Sequence, residues 1–228
     1  MAMIHLEPQT LEMFSRALDG LKPPPNLSLS QWADKYRKLS AEASASQGQW
    51  NTDAAPFQRE IMDAIGDVHI RKVVAMMCAQ AGKTEGLILN TIGFYMSYHP
   101  ASIMVMQPTV NLGESFSKDR LTPMLRDTPA LRGLVNTKSR YSGNTISKKN
   151  FPGGMLVIVG ANAPTDLRSR PIKVLLADEV DAYKASAGKE GDPVMLAEER
   201  QTTFWDYKTV MVSTPTIKGD SRIEDAYL

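Results

Sequence analysis

Residues 78–84 read Cys78-Ala79-Gln80-Ala81-Gly82-Lys83-Thr84, and this turn limits the possible folds more than any other stretch of the chain. The apolar run Lys72–Cys78 leads into it, and Leu87, Ile88, Ile92 and Tyr95 follow on a helical repeat, so the turn joins a short strand to a helix. A Gly-Lys-Thr ending at such a turn serves three needs at one spot. The glycine lets backbone amides approach phosphate oxygens, the lysine brings a cation to the outer phosphates, and the hydroxyl can take a magnesium ligand position. Gly82, Lys83 and Thr84 fill those roles, which points to ATP with Mg2+ as the ligand. Met77 stands where the full pattern has its first glycine, so the tripeptide alone also fits an ordinary turn with a surface lysine.

A second element lies a domain's length downstream. The strand-like run Val174-Leu175-Leu176-Ala177 ends in Asp178-Glu179. Two carboxylates at the carboxyl edge of a parallel sheet stand where ligands bind in this architecture. There Asp178 suits a magnesium ligand and Glu179 a base that polarises the attacking water. After the strand Thr209–Val212 comes a hydroxyl-rich turn, Ser213-Thr214-Pro215-Thr216, suited to reach a nucleotide's outer phosphate and equally readable as a plain Ser/Thr/Pro turn. Arg168 and Arg170 precede the acidic strand. They read as charge for phosphoryl transfer, given to their own site or to a neighbour's in a ring, or as DNA-backbone contacts on a solvated loop. Trp50, Phe57 and Gln58 precede the loop strand; a ring could stack on the nucleotide base and a Gln amide pair with its edge. The alternative is that the aromatic pair pins the N-terminal segment to the core.

The remaining pattern alternates strands with helices. Strands are expected at Lys72–Cys78, Ser102–Met106, Lys173–Ala177 and Thr209–Val212. Helices are expected at Phe57–Ile65, Glu85–Tyr98, Asn111–Leu125 (weakened by Pro123) and Pro193–Trp205. A hairpin is expected to pair Asn144–Ser147 with Met155–Val159 around Lys148–Gly154. The class is α/β: a mostly parallel central sheet flanked by helices, of P-loop NTPase type with a helicase-like additional strand. The strand ending at Val212 should lie between the lysine-loop strand and the Asp178 strand, because its hydroxyl turn must reach the phosphates from beside both. Residues 1–50 read as an N-terminal arm, with helices at Leu11–Leu21, stopped by Pro23-Pro24-Pro25, and at Gln31–Leu39, capped by Ser30. Residues 51–228 read as the P-loop ATPase domain.

Charge narrows the classes further. With 26 Lys plus Arg against 25 Asp plus Glu, the net charge of +1 excludes a polybasic nucleic-acid coat or membrane binder. A local basic stretch remains, namely Lys118, Arg120, Arg126, Arg132, Lys138, Arg140, Lys148 and Lys149 against Asp119 and Asp127. It reads as a track for a phosphate backbone or as a solvated face. One cysteine, Cys78, excludes an intramolecular disulfide, and His5, His69 and His99 lie too far apart for metal-ligand spacing. No secretory signal or membrane-length apolar run is present, which leads to the expectation of a cytosolic protein.

The ordered set of motifs resembles the ATPase half of a tailed-phage large terminase of the lambda-like type. The resemblance runs through Trp32-Ala33-Asp34, Tyr36-Arg37, Gly48-Gln49-Trp50, Pro56-Phe57-Gln58-Arg59-Glu60-Ile61-Met62-Asp63, Gln80-Ala81-Gly82-Lys83-Thr84-Glu85, Leu167-Arg168-Ser169-Arg170-Pro171 and Ala177-Asp178-Glu179-Val180-Asp181. In that family the first glycine of the loop is usually missing. The resemblance implies a motor that hydrolyses ATP to drive double-stranded DNA into a procapsid. It also implies a portal protein and a small terminase subunit as partners, and a working homo-oligomeric ring in the infected host's cytoplasm. It further implies a C-terminal nuclease domain that this chain is not expected to contain. Gln80 to Glu85, Trp50, Phe57, Gln58, Ser213 and Thr214 would bind the nucleotide, Thr84 and Asp178 the metal, and Lys83, Glu179, Arg168 and Arg170 would act in catalysis. Two other functions fit: a helicase-like ATPase on other nucleic acid, which needs a second lobe, and a non-hydrolysing portal adaptor, which has no need of Glu179.

Overall fold

The computed structural model describes residues 7, 10, 13, 14, 26–42, 47–136, 143–163 and 170–228. The expected helix Leu11–Leu21 lies largely outside the described residues. In chain order the elements are α1 (Leu29–Tyr36), β1 (Lys38–Leu39), β2 (Gly48–Gln49), α2 (Phe57–Gly66), β3 (Lys72–Met76) and a π-helical segment, Thr84–Leu89, that continues as α3 (Asn90–Ser97). Next come β4 (Ile103–Gln107), α4 (Val110–Phe116), a second π-helical segment Ser117–Leu121, and α5 (Thr122–Asp127). The chain then forms β5 (Lys148–Phe151), β6 (Gly154–Gly160), β7 (Val174–Asp178), α6 (Pro193–Glu198), β8 (Lys208–Ser213) and α7 (Arg222–Tyr227).

Six strands form one sheet in the order β3-β8-β7-β4-β6-β5, parallel except for β5, which runs antiparallel to β6. β8 lies between β3 and β7, as its hydroxyl turn requires. The central strands β4 and β7 are buried at every position, which is why they read as unbroken apolar runs. β3 departs from the expected fully buried strand: it is an edge strand in which only Ala75 is buried. One face of the sheet packs on Met62 and Ile65 of α2, Leu87–Leu89, and Ile92 and Phe94 of α3. Leu29, Trp32, Ala33 and Trp50, from the segment expected as an arm, enter that same core. The other face packs on Val180, Tyr183, Val194, Leu196, Ala197 and Ile223.

Three local expectations are corrected. Ser28, not Ser30, caps α1: its hydroxyl accepts from the Gln31 N–H at 3.4 Å, and the Gln31 side chain accepts from the Ser28 N–H at 3.0 Å. Ser30 is buried inside the helix, and its N–H donates to Asp63 at 3.0 Å. The helix stops at Tyr36, because Lys38–Leu39 pairs with Gly48–Gln49 instead of continuing it. Ser28→Ala should cost about 1 kcal/mol in urea unfolding, and Ser30→Ala should leave the cap intact.

The hairpin is shifted. Its first strand is Lys148–Phe151, joined to β6 by the two-residue turn Pro152-Gly153, where Gly153 takes φ +80. Two lysines disguise the strand. Lys149 is buried, its amine donating to the Thr145 and Ile146 carbonyls at 2.5 and 3.2 Å. The third correction is the expected helix Asn111–Leu125, which is split by the π-helical segment so that Pro123 falls in the first turn of α5, where its missing N–H costs nothing.

Lys208 on β8 is buried, and its amine donates to the Asp67 and Ile70 carbonyls that follow α2. Burial pushes this amine down to about 8 from 10.5, the nearby acids only partly opposing it. Between those two values the unfolded chain carries the proton and the folded chain does not. The penalty of burying the charge is therefore complete below about pH 8 and is relieved as pH rises. The stability of the wild type relative to Lys208→Met should increase from about pH 8 to about pH 10 in chemical denaturation.

Candidate active site

Three strand ends converge. β3 pairs with β8 as far as Met76 and Ser213, and β8 pairs with β7 as far as Val212 and Asp178. The lysine loop, the Ser213-Thr214 turn and the Asp178-Glu179 pair therefore leave the same edge of the sheet side by side. Parallel neighbours in register make this unavoidable, since each chain exits at its carboxyl end.

Lys83 is buried at the centre. Its amine donates to the Cys78 carbonyl at 3.2 Å and to the Thr214 hydroxyl, and it lies 3.5 Å from Glu179 Oε1. The loop turns on two residues in left-handed backbone, Gln80 at φ 58 and Gly82 at φ 74. A non-glycine there costs roughly 1 kcal/mol, and such strain gathers at functional sites. Gln58 braces the loop from below, its amide donating to the Ala81 carbonyl at 2.6 Å. A Cβ at Gly86 would stand 1.9 Å from Gln58 Oε1, so glycine is what lets α2 approach this closely. Gln58 is 1% exposed, and its Oε1 has no hydrogen-bond partner among the described residues. Trp50 is buried in the core, where its indole donates to Thr52 at 3.0 Å, and Phe57 is exposed at the start of α2. The structure thus brings Gln58 to the loop and buries Trp50 elsewhere.

Thr84 opens the helix beside Lys83, but the Glu85 carboxylate is engaged away from the loop. It pairs with Arg37 Nη2 at 2.7 Å and Arg120 Nη1 at 3.4 Å. Burial pushes the Glu85 carboxyl up, and the two arginines work against it.

Asp178 is buried at the end of β7. Its Oδ2 accepts from Gln107 Nε2 at 3.0 Å, and its Oδ1 has no hydrogen-bond partner among the described residues. Burial pushes its carboxyl up to about 6; Glu179 adds to the rise while Gln107 and Lys83 oppose it. A buried carboxylate oxygen without a donor fits a metal-bound water, so the residues present suit a magnesium site. Glu179 takes left-handed backbone at φ 54 with its side chain 44% exposed. Its Oε2 lies 3.4 Å from the Thr214 N–H and 3.5 Å from the Ser213 hydroxyl.

Arg170 is not brought to this cluster. Its guanidinium lies 3.4 Å from Met155 Sδ, before the amino end of β7. A chain entering a parallel strand must do so at the edge opposite the one where Asp178 leaves. Arg168 lies outside the described residues. In the basic stretch, Lys118 pairs with Glu114, Arg120 with Glu85, and Arg126 with Asp127 and Glu42, while Lys138 and Arg140 lie outside the described residues. Sequence reasoning missed Gln107, whose signal was a polar residue closing an apolar strand at the site edge, and Asp181, considered below.

A lysine loop and a paired acid on strands flanking a hydroxyl-turn strand define a P-loop NTPase domain with the additional-strand order. The chain belongs to the family described as "Phage terminase large subunit gpA, ATPase domain", whose pattern matches residues 44–228. It is 32% identical over 206 residues to the terminase large subunit of Enterobacteria phage P21, and 30% identical over 220 residues to that of Escherichia phage lambda. These matches cover 89% and 95% of this chain but 32% and 34% of the relatives, so the chain spans about a third of their length. Among solved structures, the large terminase ATPase domain of Thermus phage P74-26 is similar at 16% identity and a TM-score of 0.48, covering 70% of this chain and 65% of that one. No helix among the described residues is long and apolar enough to cross a membrane.

Proposed function

We propose that this chain is the ATP-hydrolysing motor domain of a terminase large subunit that drives double-stranded DNA into a procapsid. The observation that carries the reading is the convergence of Lys83, Asp178, Glu179 and Thr214 on one sheet edge. Lys83 would hold the outer phosphates, the loop amides from Gln80 to Thr84 would cradle them, and Glu179 would take the proton of the attacking water. Thr84 and Asp178 would hold Mg2+, which supplies charge neutralisation of the phosphates when bound. Among the described residues no group of three or more His, Cys, Asp or Glu could hold a metal. The remaining ligands would come from phosphate and water, as is usual for this ion.

The motor would work as a homo-oligomeric ring in the host cytoplasm, docked transiently on the portal, with the small terminase subunit as a further partner. Arg170 enters at the opposite edge of the sheet, and Arg168 is the proposed catalytic arginine, given to its own site or to a neighbour's in the ring. Arg168→Ala should keep ATP binding and lose turnover by ~10³-fold, with partial recovery on mixing with Glu179→Gln subunits. Full turnover by a dilute monomer would exclude that donation. Phosphate release by the full-length protein with and without double-stranded DNA tests the function itself. Stimulation by DNA is expected, and no hydrolysis in either condition would overturn the reading.

A further inference from the structure

Asp181 lies two residues beyond Glu179 and has no role in the chemistry above, yet its carboxylate gathers four donors. Oδ2 accepts from the Thr216 N–H and the Thr216 hydroxyl, each at 2.9 Å, and from the Ser221 hydroxyl at 2.7 Å. Oδ1 accepts from the Ile223 N–H at 2.7 Å. The Asp181 N–H donates in turn to the Ser213 hydroxyl at 3.3 Å, the same hydroxyl that faces Glu179.

These bonds tie two turns together on either side of the reactive pair. Thr214, which holds Lys83 through its hydroxyl and Glu179 through its N–H, lies between Ser213 and Thr216. Residues 215–220 are all exposed, so no apolar packing immobilises the chain between Thr214 and Ser221. Ordering them costs conformational entropy, which hydrogen bonds offset: Thr216 to Asp181, the Gly219 N–H to Glu224 at 2.8 Å and the Asp220 N–H to the Ile217 carbonyl at 3.0 Å. Ser221 caps α7 and Ile223 lies in its first turn, and α7 packs against β3, the strand that feeds the lysine loop. One carboxylate therefore reaches the turns after β7 and β8 and the helix lying on β3.

We infer that Asp181 is a positioning residue for hydrolysis, holding the Thr214 turn and Glu179 in register on Lys83 through Thr216 and Ser213. The inference rests on the roles given above to Lys83 and Glu179. It predicts a loss in the hydrolytic step with nucleotide affinity retained, since misplacing a reacting group by about 1 Å can cost on the order of 10²-fold.

The test measures kcat and ATP affinity in the full-length protein for Asp181→Asn, Thr216→Val and Thr216→Ser, beside wild type and Glu179→Gln. Asp181→Asn should lower kcat by roughly 10–100-fold with affinity nearly unchanged. Thr216→Val should lower kcat by about threefold or more, and Thr216→Ser, which keeps the hydroxyl, should behave as wild type. Thr216 is exposed, so this pair decides the matter even if the Asp181 variant does not fold. Wild-type kcat in Thr216→Val, or an equal loss in Thr216→Val and Thr216→Ser, overturns the inference, as does a parallel loss of affinity and kcat in a folded Asp181→Asn. If Glu179→Gln itself hydrolyses ATP normally, the underlying reading of the site has failed instead.

Discussion

Glu179→Gln is expected to bind ATP as tightly as wild type and to hydrolyse it roughly 10²–10⁴-fold more slowly. The substitution is isosteric, so the Thr214 N–H keeps an acceptor and the turn keeps its shape. What disappears is the charge 3.5 Å from Lys83 and the ability to take a proton from water. Removing a carboxylate beside the phosphate site lowers repulsion there, so affinity does not fall. Lys83→Ala acts on the other term: it removes the cation buried between Cys78, Thr214 and Glu179 and should abolish tight ATP binding. A fluorescent-nucleotide titration and a phosphate-release assay separate the two variants. Normal turnover in Glu179→Gln would remove Glu179 as the base.

Trp32→Ala should destabilise the fold by about 3–5 kcal/mol, the range for emptying a large aromatic site in a core. Trp32 is fully buried, stacks edge-on to Phe94 at 6.3 Å, and donates its indole N–H to Ser97 at 3.1 Å. It also lies directly over Gly93, where a Cβ would stand 2.3 Å from Trp32 Cη2. Gly93→Ala should therefore overpack the same contact and cost about 1–3 kcal/mol, despite alanine's better helix propensity. Combining Gly93→Ala with Trp32→Leu should cost less than the two single changes summed, because the smaller side chain makes room for the methyl group. Urea unfolding of the four proteins measures this. An unaltered midpoint in Trp32→Ala would mean that α1 does not contribute to the core.

The sequence was most informative where one residue type alone can do a job. Gly82-Lys83-Thr84 after an apolar run, Asp178-Glu179 after another, and Ser213-Thr214 after a third were legible as a candidate site because each stands at a strand's carboxyl end, where ligands of a parallel sheet bind. The placement of β8 between β3 and β7 followed from the same demand. Less legible were elements whose residues have two roles. Lys148 and Lys149 look like loop residues, but Lys149 is buried and gives its amine to carbonyls of the chain just ahead of β5. Ser30 reads as the cap of α1 until the structure shows its N–H taken by Asp63 and the Ser28 hydroxyl accepting from Gln31.

From sequence alone came the class of fold, the order of its motifs and the candidate reactive groups, because these depend on local chain chemistry. Tertiary structure alone decided which polar groups those motifs face. Glu85 turns to Arg37 and Arg120, Gln58 braces the Ala81 carbonyl, Gln107 holds Asp178, and Asp181 collects the segment after β8. Each of these contacts joins residues far apart in the chain. A hydrogen bond has no signature in either partner's neighbourhood until the sheet brings the two together.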